Sequence, residues 1–403
     1  MPGRHILAAR PSSQASIRVD DLPFRALGDW LRDEAKAGAD TSELRIVGLS
    51  YDAGRNLERL PALAPPEPSL PDVVFASYPA YLEGLSDRGP FILKSRDDAS
   101  ADALIEALRE NERLPSGAFP ATLEERTDRA TYSAGIEAVL EAIRAGEMYQ
   151  ANVARRLEAD MDASLAPALY MRMRESNPAS FGTLWCLGEE SWIASSSPEC
   201  LFTYDPEGRS AHSYPIKGTR PRGETPEQDA RLARLLKADP KEAAEHVMIV
   251  DLVRNDLGRV CESGSVGVRE LGAIMQLPTV HHLVSDVAGR LAEGADVVDL
   301  LLALFPGGSI TGAPKIAAMK KIEEIESVRR GFYTGSVGVL EPSGKAAFNI
   351  LIRTCVAHRG RLYYQTGGGI VADSTADREW EETQEKAYAL TRLLAEPSCL
   401  GSS

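Results

Sequence analysis

The sequence FGTLWCLGEESWIASSSPECLFTY, residues 181–204, decides the fold class of this chain. Within it, Phe181 to Leu187, Ser191 to Ser196 and Leu201 to Tyr204 alternate in the manner of strands, with short polar turns between them. Alternation with a period of two residues predicts half-buried strands, and such short connections favour antiparallel neighbours. The stretch therefore predicts an antiparallel sheet.

The flanking sequence continues in runs of strands with helices between the runs. Strands are predicted at Ser265 to Val287, Gly335 to Leu340, Ala346 to Val356 and Leu362 to Thr366. Helices are predicted at residues 20–36, Tyr132 to Tyr149, Pro226 to Leu257 with a break near Asp239-Pro240, Ala313 to Val328, and Ala376 to Leu394. Because strands and helices do not alternate strictly, the order favours an α+β fold with large antiparallel sheets over a parallel doubly wound sheet.

The domain organisation is predicted to be one large unit. Residues 1–125 are looser in pattern and are expected to wrap the same core as residues 126–396, which carry the candidate chemistry; residues 397–403 form a tail. No repeat of fixed period interrupts this organisation.

Composition excludes several classes of protein. The 403 residues carry a formal net charge of −14 and no basic stripe, so a nucleic-acid binder is not expected. The longest apolar stretch, Leu300 to Phe305, is too short to span a membrane. The five cysteines are never spaced as CxxC, which favours reduced thiols in the cytoplasm. An anionic ligand of so acidic a protein must meet a local cation or a metal.

Lys217, in Pro215-Ile216-Lys217-Gly218-Thr219-Arg220, is the most informative candidate residue. One interpretation is a solvated loop cation, and the other is an amine nucleophile at the end of a strand. A lysine side chain ordinarily has a pKa of about 10.4, so a nucleophilic lysine needs a special environment. The segment alone leaves both interpretations open.

Other candidates fall in glycine-rich turns and on an acidic helix face. Gly367-Gly368-Gly369 follows a predicted strand and would let backbone approach a ligand closely, or would form a flexible hairpin. Glu379, Glu382 and Lys386 fall on one helical face, and Glu245 lies in a second acidic helix. Carboxylates from two helices suit Mg²⁺, although a solvated charged face is the simpler explanation.

Three more side chains sit where chemistry is plausible. His282 lies in a predicted strand and is either a packed core residue or a group aimed at a site. Arg353 is a charge within an apolar strand, so it requires an anionic partner, either a structural acid or a ligand. Glu199 follows a strand, where a raised pKa would make it a general acid, although an ordinary turn also fits.

Taken together, these segments resemble the chorismate-utilising enzymes, a family that includes anthranilate, aminodeoxychorismate, isochorismate and salicylate synthases. The resemblance covers about Tyr132 to Leu394. It is carried by these segments: Gly146 to Gln150, Ser197 to Glu199, Pro215 to Arg220, Glu245 to Asp256, His282 to Val284, Gly308 to Lys315, Tyr333 to Gly335, Arg353, Gly367 to Gly369 and Glu379 to Lys386. It implies a single large α+β domain with an antiparallel β-sandwich core flanked by helices.

The resemblance also implies roles for matching residues. Glu245 and Glu382 would hold Mg²⁺, and Glu379 would contact it through water. Glu199 would protonate the departing C4 hydroxyl of chorismate, and His282 would be an acid, a base or a positioning group near the ring. The implied substrate-binding residues are Ser309, Tyr333, Arg353, Gly367, Gly368, Gly369 and Lys386.

Two positions indicate a branch of the family. Gln150 stands where enzymes that add water usually have lysine, which points to ammonia as the nucleophile. Lys217 stands where anthranilate synthases have alanine and the aminodeoxychorismate branch has lysine. The resemblance therefore implies amination of chorismate at C4 through a covalent Lys217 intermediate, toward 4-aminobenzoate and folate. A separate glutamine amidotransferase subunit would supply the ammonia. An anthranilate synthase and an inactive amidotransferase-binding scaffold are the alternatives.

Overall fold

The structure is a computed structural model that describes residues 4–37, 42–86, 89–110, 114–188, 190–277 and 280–395. The predicted tail at 397–403 lies outside these residues. The strands in chain order are β1 (His5–Ala8), β2 (Ser13–Ile17), β3 (Leu44–Leu49), β4 (Val73–Tyr78), β5 (Ala80–Gly84), β6 (Phe91–Ser95), β7 (Glu124–Glu125), β8 (Gln150–Asp160), β9 (Thr183–Gly188), β10 (Ser191–Ser195), β11 (Cys200–Asp205), β12 (Ser210–Tyr214), β13 (Ile216–Pro221), β14 (Gly267–Gln276), β15 (Val280–Arg290), β16 (Gly312–Ala313), β17 (Ser336–Leu340), β18 (Ala346–Asn349), β19 (Thr354–His358) and β20 (Arg361–Ile370).

The helices lie between runs of these strands. In chain order they are α1 (Leu27–Ala37), α2 (Asp98–Glu110), α3 (Arg129–Arg144), α4 (Ala166–Ser176), α5 (Pro226–Ala238), α6 (Pro240–Gly258), α7 (Val297–Leu304), α8 (Gly308–Thr311), α9 (Lys315–Ile325) and α10 (Ala376–Ala395). Among the helices of the described residues, none combines the length and the apolar content needed to cross a bilayer.

Two large antiparallel sheets form the centre of the molecule. The first runs in the order β13-β15-β12-β11-β18-β17-β3-β4-β2, with β14 also paired to β15. The second runs in the order β16-β8-β20-β19-β10-β9, with β7 also paired to β8. A small sheet of β1, β5 and β6 has no strand pairing with either. The predicted α+β fold class is confirmed.

The two sheets pack face to face through a shared apolar cluster. Val74 and Val337 of the first sheet and Trp185, Ile193 and Val356 of the second all belong to it. Other clusters cover the outer faces with helices: α1, α6 and α7 pack on the first sheet, and α3, α4, α9 and α10 on the second. Burial of apolar surface on both faces of each sheet is therefore the main source of stability.

The first part of the chain contributes strands to the same sheet as the rest. β3 pairs with β17 on one side and with β4 on the other, and β2 pairs with β4. A division of the chain at residue 125 stays a prediction.

The predicted break in the long helical segment is present at Asp239-Pro240. The Asp239 side chain accepts hydrogen bonds from the amides of Lys241 and Glu242, and Pro240 occupies the first turn of α6. Aspartate at the N-cap followed by proline is a strong start signal for a helix. This start sets the orientation of α6, which carries Glu242 and Glu245.

The prediction of a helix over Tyr132 to Tyr149 is wrong at its end, and the strand that follows it was missed. α3 ends at Arg144, and β8 begins at Gln150. Apart from its last residue, β8 is buried along its whole length although it contains Gln150, Asn152 and two arginines. Polar residues buried on both faces produce no alternation, so periodicity does not reveal the strand.

Two other helix starts were predicted too early. The segment 20–36 opens with a 3₁₀ turn at Val19–Asp21, and the helix begins only at Leu27. Likewise α9 begins at Lys315, because Gly312 and Ala313 pair with Ala151 and Gln150 of β8. In each case, apolar spacing extended the predicted helix into neighbouring residues that follow another backbone path.

The prediction of one strand over Ala346 to Val356 is also wrong. β18 belongs to the first sheet and β19 to the second, so the chain crosses between the sheets over residues 350–353. Arg353 has a φ of +51° at this crossing. A left-handed backbone at a residue other than glycine is uncommon and tends to occur at functional sites.

Candidate active site

The candidate site lies where these two sheets meet beside Arg353. Lys217 on β13 of the first sheet reaches Gly369 on β20 of the second. Its Nζ atom lies 2.8 Å from the position that a Cβ on Gly369 would occupy. The structure therefore brings the predicted nucleophile to the predicted glycine segment.

The backbone at Lys217 is irregular, and this irregularity aims the side chain. Lys217 faces Leu283 on β15, and Thr219 faces His282, with a bulge at Gly218 between them. Gly218 has a φ of +74°, which glycine adopts without strain. A β-bulge redirects the side chains beside it, and here Lys217 reaches within 3.9 Å of Glu245 Oε2.

Glu199 is a buried carboxyl near two hydrogen-bond donors and two cations. Ser309 donates a hydrogen bond of 2.6 Å to Glu199 Oε1, and the amide of Ile216 also donates to this carboxyl. Burial raises the pKa of Glu199 to about 7, although these hydrogen bonds and the charges of Lys217 and Arg353 oppose the rise. A carboxyl with this pKa is partly protonated near neutral pH, as a general acid requires.

Close packing of α8 positions Ser309 beside this carboxyl. It lies in the short helix α8, and a Cβ on the preceding Gly308 would stand 2.6 Å from Leu252 of α6. The glycine therefore allows α8 to approach α6 closely. The sequence predicted that Ser309 binds substrate, whereas the described contact of its hydroxyl is with Glu199.

His282 is buried and presents an unprotonated nitrogen. Its Nδ1 lies 3.1 Å from the carbonyl oxygen of Gly218 and 2.9 Å from the hydroxyl of Thr219. A carbonyl only accepts, so Nδ1 carries the hydrogen. Burial lowers the pKa of His282 to about 4, so the ring is neutral at pH 7. Its Nε2 is buried and has no partner among the described residues, which leaves a lone pair for a ligand.

Arg353 is half-buried, and no carboxylate of the described residues forms an ion pair with it. Burial lowers the pKa of Arg353, while nearby Tyr364 and Glu199 oppose this effect. A buried guanidinium without a partner is costly unless a ligand supplies the charge. Of the two partners that the sequence left open, a ligand anion is therefore favoured over a structural acid.

The glycine segment lies inside β20 and is not a hairpin. Gly367, Gly368 and Gly369 pair with Ala154, Val153 and Asn152 of β8. On the other edge, the pairing of β19 with β20 stops at Tyr364. Beyond that point, no strand of the described residues covers this edge. On this edge the Gly367 carbonyl accepts a hydrogen bond from Lys386, while Gly368 and Gly369 have no strand partner among the described residues.

Tyr333 closes the same region. It is buried, and burial raises its pKa, so the phenol is neutral and can donate a hydrogen bond. The guanidinium of Arg330 lies 5.8 Å from its ring. Arg330 also donates to the carbonyls of Ile310 and Asn152 and pairs with Glu326. It therefore links Tyr333 to the segments that carry Ser309 and the start of β8.

The predicted metal carboxylates lie on α6 and α10, and the two on α10 lie beside Gly368. A Cβ on Gly368 would stand 2.8 Å from Glu379 Oε2 and 3.5 Å from Glu382 Oε1. Burial would raise the pKa of Glu382, but Lys386, Lys217 and Lys241 outweigh burial and lower it. Burial raises the pKa of Glu379, and the charge of Glu382 adds to this rise.

The amine of Lys386 is hydrogen-bonded to other residues in this structure. Its Nζ donates to the Gly367 carbonyl at 2.7 Å and to Glu382 Oε1 at 2.6 Å. Because Glu382 lies one helical turn before Lys386, the pair has the favourable i,i+4 order of acid and base.

These donors fit a divalent cation whose coordination a ligand completes. Among the described residues, no three histidine, cysteine, aspartate or glutamate side chains stand ready to hold a metal. Mg²⁺ commonly takes only one or two protein carboxylates together with ligand oxygens and water. Lys217 and Lys241 lie near both Glu245 of α6 and Glu382 of α10, so these two carboxylates belong to one charged region.

Sequence reasoning missed Glu242 and Asn152 as candidate site residues. A Cβ on Gly218 would stand 2.9 Å from Glu242 Oε2, and burial raises the pKa of this carboxyl. Glu242 lies three residues before Glu245, so helical spacing alone was a usable signal for it. Asn152 gave no signal, because its strand was not recognised.

Comparisons with known proteins agree with this geometry. The family model described as chorismate binding enzyme matches residues 11–392. Anthranilate synthase component 1 1 of Haloarcula marismortui is 39% identical over 371 residues, which cover 86% of this chain and 75% of that protein. Aminodeoxychorismate synthase component 1 of Bacillus subtilis is 36% identical over 394 residues, which cover 92% of this chain and 82% of that protein.

A solved structure gives the same result for the fold. Anthranilate synthase component I of Streptococcus pneumoniae TIGR4 superposes with a TM-score of 0.82 at 29% identity, covering 96% of this chain and 92% of that one. The family match and the identities to these relatives extend over most of the chain. The chain therefore belongs to the family of chorismate binding enzymes, which convert chorismate.

Proposed function

We propose that this enzyme aminates chorismate at C4 and releases 4-amino-4-deoxychorismate, a precursor of 4-aminobenzoate and folate. The observation that carries the proposal is the position of Lys217, whose amine lies beside the glycine segment and close to the buried carboxyl of Glu199. An amine nucleophile and a general acid are the two groups that this substitution needs.

In the first step, the lone pair of Lys217 attacks C2 of the ring. The diene shifts, the C4–O bond breaks, and the hydroxyl takes the proton of Glu199 and leaves as water. Hydroxide is a poor leaving group, so protonation in this step lowers the barrier. The raised pKa of Glu199 keeps that proton available near pH 7.

In the second step, ammonia attacks C4. The diene shifts back, the C2–Nζ bond breaks, and Lys217 keeps the electron pair. The added nitrogen returns one proton to Glu199, which restores both groups. The sum of the two steps is chorismate plus ammonia giving 4-amino-4-deoxychorismate plus water.

Substrate binding is proposed to use the cationic and open-backbone side of the cleft. Arg353 would receive the carboxylate of the enolpyruvyl side chain, beside Tyr333 and the open edge of Gly367 to Gly369. His282 would accept a hydrogen bond from the substrate through Nε2. Glu245 and Glu382 would hold Mg²⁺, with Glu379 contacting it through water. When bound, Mg²⁺ would neutralise the ring carboxylate of the dianionic substrate.

The source of ammonia is proposed to be a separate glutamine amidotransferase subunit. Similar proteins are named component 1 of their synthases, which is the naming of one subunit among several. Free ammonium should replace that subunit in solution, because the proposed chemistry uses ammonia and not glutamine.

An anthranilate synthase is the second candidate, and the names of relatives favour it. Anthranilate synthase component 1 of Thermus thermophilus is 40% identical over 363 residues, slightly above the aminodeoxychorismate relative. These identities are too close to decide the reaction. In that alternative, ammonia attacks C2 directly and Lys217 forms no bond to the ring.

The deciding experiment is identification of the product from chorismate, Mg²⁺ and ammonium by chromatography and mass spectrometry. We expect 4-amino-4-deoxychorismate. Formation of ortho-aminobenzoate would establish the second candidate instead. Absence of any turnover with correctly folded protein would favour an inactive scaffold that only binds an amidotransferase.

A further inference from the structure

An ion pair between Asp256 and Lys315 has no part in the proposed reaction. The ammonium of Lys315, at the start of α9, lies 2.7 Å from Oδ2 of Asp256 on α6. The side chain of Lys315 is 12% exposed and that of Asp256 is 4% exposed. Burial lowers the pKa of Lys315 and raises the pKa of Asp256. Two charges held away from water often contribute little to stability compared with apolar residues of the same size, so the pair needs another explanation.

The same ammonium ties three helices together. Lys315 Nζ also donates a hydrogen bond of 3.1 Å to the carbonyl of Leu304, the last residue of α7. Leu304 and Lys315 enclose residues 305–314, which include the short helix α8 and Ser309. Both ends of this segment are thus joined to each other, and to Asp256 of α6, through one nitrogen atom.

The position of α8 depends on contacts of this kind with the rest of the protein. A helix of four residues forms too few backbone hydrogen bonds to be stable by itself. After Ser309, the carbonyl of Ile310 accepts a hydrogen bond of 2.8 Å from Arg330. Before Ser309, the chain is fastened where Leu304 meets Lys315. The ion pair therefore restrains α8 on the side from which the chain enters it.

A small internal cavity places the ion pair close to Glu199. Asp256, Leu304, Ser309 and Glu199 all line it, and about 10 Å³ of its volume is open to water. All of its lining residues are buried, and this volume holds about one water molecule. Packed protein therefore fills most of the space between the pair and the 2.6 Å hydrogen bond from Ser309 to Glu199. A displacement of α8 would be transmitted to that hydrogen bond.

We propose that the Asp256–Lys315 pair positions the general acid by holding α8 against α6, so that Ser309 donates to Glu199; this inference rests on the proposed function, in which Glu199 protonates the leaving hydroxyl. The pair acts through Ser309 and transfers no proton to the substrate. Asp256 and Lys315 are therefore positioning residues, and their effect is measured at Glu199.

Loss of the ion pair should change the protonation of Glu199. The hydrogen bond from Ser309 lowers the pKa of Glu199, because it stabilises the charged carboxylate. Without the pair, α8 should move and weaken that hydrogen bond, so the pKa of Glu199 should rise. The cations that face Glu199, Lys217 and Arg353, lie on other elements and remain. The adjacent Cys200 thiol stays neutral, because burial raises its pKa.

The test titrates Glu199 in the free enzyme by difference infrared spectroscopy. The C=O stretch of its protonated carboxyl is assigned by its absence from Glu199→Gln. The double variant that combines Asp256→Asn with Lys315→Met removes one charge of each sign, so it leaves no unpaired charge behind. We expect the acid dissociation constant of Glu199 to fall at least about threefold in this variant.

Lys321→Met is the matched control. Lys321 lies on the same helix as Lys315 and pairs at 2.8 Å with Glu324, three residues further along that helix. Its ion pair therefore joins α9 to no other element. The control should leave the titration of Glu199 unchanged.

A single variant covers the case in which the double variant does not fold, as judged by circular dichroism. Asp256→Asn keeps the shape of the side chain and weakens the ion pair. Removal of a negative charge would by itself lower the pKa of Glu199, so a rise reports movement of α8. An unchanged or lowered pKa of Glu199 in folded Asp256→Asn would contradict the proposal.

The same substitutions in Ser309→Ala separate positioning from a direct effect of charge. The hydrogen bond is already absent there, so loss of the ion pair should shift the titration of Glu199 no further. A further shift would overturn the proposal, because the pair would then act on Glu199 through its charge or through a bridging water molecule. An unchanged titration in the double variant that retains Ser309 would overturn it as well.

Failure of the proposed reaction is separable from these outcomes. The titration uses the free enzyme without chorismate or ammonium, so it decides the role of the ion pair whichever product forms. An ortho-aminobenzoate product would refute amination at C4 and would leave the titration result as it stands.

Discussion

The amine of Lys217 lies 2.8 Å from the position that a Cβ on Gly369 would occupy, so the hydrogen on that glycine is what makes room for the lysine. The two residues come from different sheets, and the lysine approaches across the gap between them. Gln150 approaches the same position to 2.6 Å. Glycine is therefore required at position 369 because neighbouring side chains occupy the space of a Cβ, and not because of its own backbone conformation.

Substituting Gly369→Ala should impair catalysis more than folding. The added methyl group would push Lys217 or Gln150 away, and a displacement of about 1 Å at a reacting group can cost about 100-fold in rate. Overpacking should lower the free energy of unfolding by about 1–3 kcal/mol. Steady-state kinetics with ammonium and urea unfolding measure the two effects.

Gly267→Ala is the matched control, because nothing lies within 4 Å of its Cβ position and its φ is not in the left-handed region. It should keep kcat/KM within about twofold of the wild type. If Gly369→Ala retained full activity, Lys217 would have to occupy a different place in the working enzyme.

The parts of the fold that sequence predicts are those in which one face is buried. The hairpin of β9 and β10 was predicted from alternation, and a break near Asp239-Pro240 was predicted within the helical segment; both are present. β8 was missed because polar side chains on a strand buried on both faces give no period. The crossing at Arg353 was missed because its apolar flanks continue the pattern of a single strand.

The candidate site shows the same division. Residue types and spacing suggested a lysine, two acidic helices and a glycine segment. They did not show that Ser309 would donate to Glu199, or that Asn152 would face Gly369. Such contacts join residues that are distant in sequence and depend on how the sheets pack. Local periodicity carries no information about them.

The pH dependence of the reaction should report Glu199 as the acid. Its pKa is raised to about 7, and only the protonated form can donate to the leaving hydroxyl. At a fixed concentration of free ammonia, the value of kcat/KM for chorismate should therefore carry an alkaline fall from Glu199, of tenfold per pH unit above about pH 8. Glu199→Gln should lose about 10²- to 10⁴-fold in kcat and should lack this alkaline fall.

A variant at Ser309 tests the assignment of this fall to Glu199, because it should shift the pH profile. The Ser309 hydrogen bond favours the charged carboxylate and so lowers the pKa of Glu199. Ser309→Ala should raise that pKa and shift the alkaline fall to higher pH. A shift to lower pH, or an unchanged profile in both variants, would assign the fall to another group.

Replacing Arg353 should stabilise the free protein and weaken its binding of chorismate. Arg353 is half-buried and forms no ion pair among the described residues, and the nearby charge of Glu199 only partly offsets the cost of burying the guanidinium in the free protein. Arg353→Met should raise the free energy of unfolding by about 1 kcal/mol. The same change should weaken chorismate binding by about 100-fold or more, as measured by calorimetry. A destabilised Arg353→Met that still binds chorismate normally would show that Arg353 has a structural partner instead.

Glu382 should be needed for Mg²⁺, and calorimetry can test this without turnover. Glu382→Gln removes one of the two carboxylates proposed to hold the ion. Mg²⁺ affinity in the presence of chorismate should therefore fall at least about tenfold, because one charged ligand of the ion is lost. Glu385→Gln on the same helix is the control, because Glu385 is exposed and has no resolved partner in the cleft. Equal affinities in the two variants would remove Glu382 from the metal site.

Lys217 should determine which carbon receives nitrogen. Lys217→Ala removes the nucleophile, so formation of 4-amino-4-deoxychorismate should fall by about 10³-fold or more, and any residual product should be ortho-aminobenzoate from direct attack at C2. Lys241→Ala is the control: Lys241 also lies 3.9 Å from Glu245, so its loss removes a similar charge from the carboxylates but leaves the amine beside Gly369 in place. That control should keep the identity of the product.

Mass spectrometry of the intact protein, quenched after incubation with chorismate and Mg²⁺ in the absence of ammonium, gives a direct readout of the same prediction. The wild type should gain the mass of dehydrated chorismate on the peptide that contains Lys217, because attack at C2 expels the C4 hydroxyl as water. Adding ammonium should discharge this adduct at the rate of product formation, and Lys217→Ala should never form it. If the wild-type enzyme makes the 4-amino product with no adduct at this peptide, ammonia must reach C4 without a covalent intermediate. The approach of Lys217 to Gly369 would then serve only to place a positive charge beside Glu245 and Glu199.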